Sequence, residues 1–134
     1  MPNLAAFISP HGFGHAARTC AILEALARQI PGLITHIYTR TPEWFFKDSL
    51  GGNFHYHAIL SDVGLVQTSG FTENLPVTLR TLDSYVPFPE HQLHDLSQEI
   101  LTNHCQLVLC DISPLGIEVA RRAALPSILV ENFT

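Results

Sequence analysis
The sequence predicts an α/β domain in which a parallel sheet of about five strands lies between two layers of helices. Two observations carry this. Short apolar runs alternate along the chain with stretches whose apolar residues recur every three or four positions, the pattern of buried strands and amphipathic helices taken in turn. The first of those runs also leads directly into Pro10-His11-Gly12-Phe13-Gly14-His15 and then a helix. A glycine turn between a buried strand and a helix is where such folds bring backbone N–H groups up to a ligand.

Leu4 to Ile8, apolar throughout, is the first strand and is expected at the centre of the sheet, buried on both faces. Ala16, Cys20, Leu23, Ala27 and Ile30 stripe the helix after it, and Pro31-Gly32 ends that helix. Leu33 to Thr39 is the second strand. Pro42 opens a short helix through Trp44, Phe45 and Phe46 that Gly51-Gly52 closes. Phe54 to Ile59 alternates as a third strand, with His55 and His57 on one face. No third ligand stands near them in sequence, so they read as part of a half-exposed edge strand rather than as a metal site.

From Leu60 to Pro76 the periodicity vanishes into a polar, glycine-punctuated segment, and a loop of that length in a compact domain is usually functional or disordered. Leu79, Leu82 and Val86 begin a helical stripe that Pro87 and Pro89 break and that Leu93, Leu96, Ile100 and Leu101 resume. Gln106 to Cys110 is the fourth strand and ends at Asp111. Ser113-Pro114 caps and opens a helix through Ala124, and Ser127 to Val130 is the fifth strand. There is no repeat at a fixed period, low-complexity tract or linker.

With 134 residues, 46% hydrophobic and 14% charged, the chain fits one compact domain over residues 1–134. A net charge of −5 and only seven basic residues argue against nucleic acid or an anionic membrane as partner. Neutral or sugar-like partners remain open. Cys20, Cys105 and Cys110 form no CxxC pair and read as reduced, buried thiols. The N-terminus has no signal-type layout and no apolar run approaches the roughly 18 residues of a membrane helix, so a soluble, cytoplasmic protein with no integral membrane segment is expected.

In a parallel sheet, ligands bind at the carboxyl ends of the strands, where the strand order reverses. The glycine turn, the segment 61–75, Asp111 and Glu131-Asn132 should therefore share one rim. His15, on the first turn of its helix, is placed as an acid or base, since the helix terminus disfavours imidazolium. Asp111, across the switch point, would orient it. In a simpler reading, Asp111 caps its own turn through an Asx hydrogen bond and His15 caps the helix. Gly12-x-Gly14-x-x-Ala17 also fits the loose dinucleotide fingerprint, but the second strand ends in Arg40-Thr41 rather than an acidic residue. That leaves an NADP-dependent oxidoreductase as the weaker alternative.

Ser9-Pro10-His11-Gly12-Phe13-Gly14-His15-Ala16-Ala17-Arg18 resembles the Gly-His-Gly-Phe-Gly-His-Ala-x-Arg stretch of glycosyltransferase-like proteins with two Rossmann domains, the GT-B fold. The likeness is greatest to the N-terminal glycosyltransferase-like domain of L-arabinokinases. Asp62-Val63-Gly64-Leu65-Val66-Gln67 is similar to that group's Asp-x-Gly-x-x-Gln, and Leu109 to Pro114 with Glu131 to Thr134 are similar to its later strand ends. Pro10-His11 stands where the family has its first Gly-His, so this turn has one glycine fewer.

The resemblance implies a Rossmann-like, three-layer domain and the N-terminal, acceptor-binding half of a sugar-nucleotide-dependent glycosyltransferase. It makes His15 the general base on the acceptor hydroxyl and Asp111 its partner. Gly12, Phe13, Gly14, Asp62, Gln67, Glu131 and Asn132 would surround the acceptor or a phosphate. It implies no cofactor and no metal; the partners would be a nucleotide sugar as donor and a sugar or lipid-linked acceptor. Because the donor binds a second domain in such proteins, the chain is expected to be truncated before it. The alternative is a non-catalytic sugar- or nucleotide-binding module of the same fold.

Overall fold
A computed structural model of the chain describes residues 1–61, 67–69 and 72–132, the side chains of residues 67–69 and 85 excepted. The elements run β1 (Asn3–Ile8), α1 (Gly14–Gln29), β2 (Ile34–Thr39), α2 (Glu43–Leu50), β3 (Phe54–Ala58), β4 (Gln67–Ser69), β5 (Thr72–Glu73), α3 (Leu75–Tyr85), α4 (Glu90–Thr102), β6 (Cys105–Asp111), α5 (Pro114–Ala123) and β7 (Ser127–Val130). Five strands form one parallel sheet in the order β3-β2-β1-β6-β7, and β4 and β5 pair antiparallel by themselves. The chain winds outward from β1 to β3, returns through α3 and α4, and winds outward again through β6 and β7. The order reverses between β1 and β6.

Leu4 to Ile8 are all buried, and their alternation feeds two cores. Ala5 and Phe7 meet Leu93 and Ile100 of α4 and Leu115 and Val119 of α5. Leu4, Ala6 and Ile8 meet Ala16, Cys20 and Leu23 of α1 and Phe46 of α2. Phe7 lies flat on Tyr38, ring centroids 4.6 Å apart, and burying a side chain of its size contributes about 1.5–3 kcal/mol. Helix α5 reaches the sheet at Gly116, where a Cβ would stand 2.7 Å from Phe7 Cβ and 2.9 Å from Cys110 Sγ. A glycine there lets the helix settle onto β1 and β6 without overpacking.

Where the sequence is unpatterned from Leu60 to Pro76, the structure forms the β4–β5 pair and has begun α3 at Leu75. Strands of two or three residues are too short for alternation to register in sequence. Asn74 caps α3 by accepting from Val77 N at 3.1 Å. Helices α3 and α4 are separate, since Pro87 and Pro89 supply no N–H to continue the ladder between them. Cys20, Cys105 and Cys110 are free and buried. Burial pushes the Cys110 thiol up to about 12 and, with Glu99 nearby, Cys105 up to about 11, so neither is a ready nucleophile. No described helix is long and apolar enough to cross a membrane.

Candidate functional site
The site begins at the turn out of β1. Gly12 has φ +67, a left-handed conformation that glycine takes without penalty. Gly14 is already helical, and a side chain there would meet nothing within 4 Å, so its absence leaves open space at the helix start. Phe13 is the N-cap of α1; its carbonyl accepts from Ala17 N at 2.8 Å, and no side chain caps the helix.

His15, Arg18 and Thr19 stand at i, i+3 and i+4 and so share a face of α1. That face is turned to the end of β6, where Asp111 is fully buried. Asp111 Oδ1 accepts from His15 Nδ1 at 2.9 Å and from Arg18 Nη2 at 2.5 Å, while Oδ2 accepts from Arg18 Nε at 3.0 Å and Thr19 Oγ1 at 2.9 Å. Arg18 Nη1 donates to Asn132 Oδ1. Burial raises the Asp111 pKa, but the hydrogen bonds from Arg18, His15 and Thr19 outweigh it and hold the carboxyl below its ordinary value. An ionised carboxylate only accepts, which assigns a proton to His15 Nδ1 and leaves Nε2 as the acceptor nitrogen of the neutral ring. The His15 side chain is 21% exposed.

Buried hydroxyls tie the strand ends beneath this cluster. Ser61, just past β3, donates to Ile8 O. Ser113 donates to Ser61 O at 2.5 Å and accepts from Gly116 N at 3.2 Å, capping α5. Ser9 N bonds Asp111 O at 3.0 Å, so β1 and β6 remain paired to the foot of the site. Beside them, the exposed ring of Phe13 packs at 5.7 Å from Trp44 and 5.2 Å from Phe45.

Of the residues nominated by the sequence, the structure brings His15, Asp111 and Asn132 together, with Gly12, Phe13 and Gly14 alongside. Glu131 is exposed, one residue past β7. Asp62 lies outside the described residues, and of Gln67 only its place in β4 is described. Among the described residues, the side-chain partners of Asp111 are on α1 rather than in its own turn. Arg18 closes the stretch that carries the family resemblance but is given no role there, and Thr19 lies just past it; the signal for a role of both is their spacing from His15 along one helical face.

His55 and His57 lie on the edge strand β3, and His36 of β2 stacks on both, centroids 4.8 and 5.9 Å apart. Tyr38 lies flat on His57 at 4.4 Å, and Tyr38 Oη and His57 Nδ1 both reach Glu99 Oε1, at 2.8 and 3.2 Å. Among the described residues no group of three or more His, Cys, Asp or Glu side chains is arranged to hold a metal ion.

A doubly wound parallel sheet with a polar cluster at its switch point is a Rossmann-like domain. No family model matches the chain. It is 27% identical over 133 residues to the L-arabinokinase of Arabidopsis thaliana, an overlap of 96% of this chain and 12% of that protein. Among solved structures it superposes on the MurG of Acinetobacter baumannii with a TM-score of 0.60 at 14% identity, over 98% of this chain and 35% of the other. It superposes on a UGT transferase from Siraitia grosvenorii, solved in complex with UDP, with a TM-score of 0.59 at 14% identity, over 96% of this chain and 27% of the other. The fold is that of a GT-B glycosyltransferase, of the N-terminal-like kind. The chain spans 35% or less of each of these relatives.

Proposed function
We propose that residues 1–134 form the acceptor-binding domain of a sugar-nucleotide-dependent glycosyltransferase, the donor being held by a second domain of the same protein. The observation that best supports this is the 2.9 Å bond between His15 Nδ1 and Asp111 Oδ1 at the β1/β6 switch point. It leaves Nε2 to take the acceptor hydroxyl proton as that oxygen bonds to the anomeric carbon and the nucleoside diphosphate departs with the electrons of the broken bond. The uncapped start of α1 beyond Gly12 suits a negatively charged group of either substrate.

General-base catalysis contributes about 10² to 10⁴ in rate. His15→Ala in the protein that carries this domain, assayed with nucleotide sugar and acceptor, should therefore lower turnover at least about a hundredfold. The side chain is only 21% exposed and donates to the buried Asp111, so the substitution should also cost about 1–3 kcal/mol in stability, and turnover is compared at a temperature where both proteins stay folded. Unchanged turnover overturns the base assignment and favours a sugar-binding module without chemistry. That second reading draws on the relative's name, which denotes a kinase rather than a glycosyltransferase.

A further inference from the structure
We infer that Arg18 is a positioning residue that competes with Asp111 for His15 Nδ1, so that Asp111 sets the tautomer of His15 partly by holding Arg18 off the ring. The functional weight of this rests on the reading of His15 as a base; the inference itself concerns only where the imidazole proton resides. Three atoms form a tight triangle: Nδ1 is 2.9 Å from Asp111 Oδ1 and 3.3 Å from Arg18 Nη2, and Nη2 is 2.5 Å from the same Oδ1. Guanidinium nitrogens only donate and carboxylate oxygens only accept, whereas Nδ1 can do either. The carboxylate wins in this structure, because the other tautomer would set the Nδ1 lone pair against a buried anionic oxygen at 2.9 Å. Nδ1 then carries the proton and the 3.3 Å approach of Arg18 is not a hydrogen bond.

Removing the charge from position 111 changes the balance without moving the ring. With Asp111→Asn the two-point grip on Arg18 is lost, and the guanidinium, still anchored toward Asn132, is the strongest donor within reach of Nδ1. The proton passes to Nε2, and the nitrogen left facing the open side of the site becomes a donor that cannot accept a proton from a hydroxyl. With Arg18→Gln added, the cationic competitor is gone and Nδ1 returns to donating to the amide oxygen at position 111.

The test is a long-range ¹H–¹⁵N correlation spectrum of His15, read at pH about 8, above the ordinary imidazole range, in this chain and three variants. The expected result is an Nδ1–H tautomer in the native chain and in Arg18→Gln, an Nε2–H tautomer in Asp111→Asn, and a return toward Nδ1–H in the double variant. An Asp111→Asn variant that keeps Nδ1–H, or a double variant with the same tautomer as Asp111→Asn, overturns the inference. An Nε2–H ring in the native chain overturns it too, which keeps it falsifiable should Asp111→Asn not fold, as judged by its backbone amide dispersion. Turnover is read separately: if His15 is the base, Arg18→Gln should restore kcat of Asp111→Asn at least about tenfold, with KM unmoved. Tautomers that switch as expected without any recovery of kcat would stand with this inference and against the base reading.

Discussion
Asp111 is a fully buried charge, and it is tolerated because each of its oxygens takes two hydrogen bonds from one face of α1. Thr19 is the buried neutral member of that set and lies beneath the part of the site that faces solvent. Thr19→Val keeps the shape of the side chain and removes one donor from Oδ2, leaving Arg18 Nε as the remaining partner. The expected cost is about 1–3 kcal/mol, the range for a buried polar group that loses a partner, read from urea denaturation. A change within about 0.5 kcal/mol, the usual scatter of innocuous substitutions, would show that Thr19 does not support the carboxylate.

The edge formed by β2 and β3 carries its own chemistry. Burial holds His36 below the ordinary imidazole value, and the neighbouring His55 and His57 lower it further against Glu99. His57 is likewise lowered, first by burial, with Glu99 opposing and His55 assisting. The groups facing the stack are thus His55 from β3, Glu99 from α4 and the Tyr38 hydroxyl from β2, and among the described residues Glu99 is the carboxylate that opposes the lowering at both His36 and His57. Because the folded values lie below the unfolded one of 6.5, the unfolded chain binds more protons as pH falls. Stability should be full above about pH 6.5, fall as pH drops below it, and level off beneath the folded values. Urea midpoints measured from pH 8 downward check this, and His36→Asn should flatten the slope. A native profile flat between about pH 6.5 and 5 would mean that the stack does not titrate as described.

Across the whole molecule, stability is concentrated where both sheet faces are covered. Strand β1 is buried along Leu4–Ile8 and β6 along Val108–Asp111, whereas α3 exposes Leu75, Leu79 and Leu82 and β7 exposes Ile128 and Leu129. Amides of β1 and β6 should therefore exchange with solvent only on global unfolding, and those of α3 by local opening, several orders of magnitude faster. Residue-resolved hydrogen exchange measures this directly. Protection in α3 equal to that in β1 would show a single cooperative unit and overturn the expectation.

Much of this architecture is local information and is legible along the chain. The apolar run Leu4–Ile8, the stripe from Ala16 to Ala27 and the Ser113-Pro114 cap each specify an element within a few residues of themselves. Right-handed crossovers then order those elements, which is enough to put the Gly12 turn and Asp111 on one rim. Partner choice at Asp111 is another matter. Arg18 and Thr19 lie 93 and 92 positions away and reach it only once α1 has rolled to a particular angle on the sheet. That angle depends on how Ala16, Cys20 and Leu23 pack against Leu4, Ala6 and Ile8 together, a sum over neighbours that no single stretch encodes. The same holds for His36 against His57 and for Gly116 against Phe7. Periodicity tells which face of a helix is buried, but its rotation and depth follow from close packing among residues distant in sequence, and it is those that turned a histidine and an aspartate on a common rim into a hydrogen-bonded cluster with Asp111 at its centre.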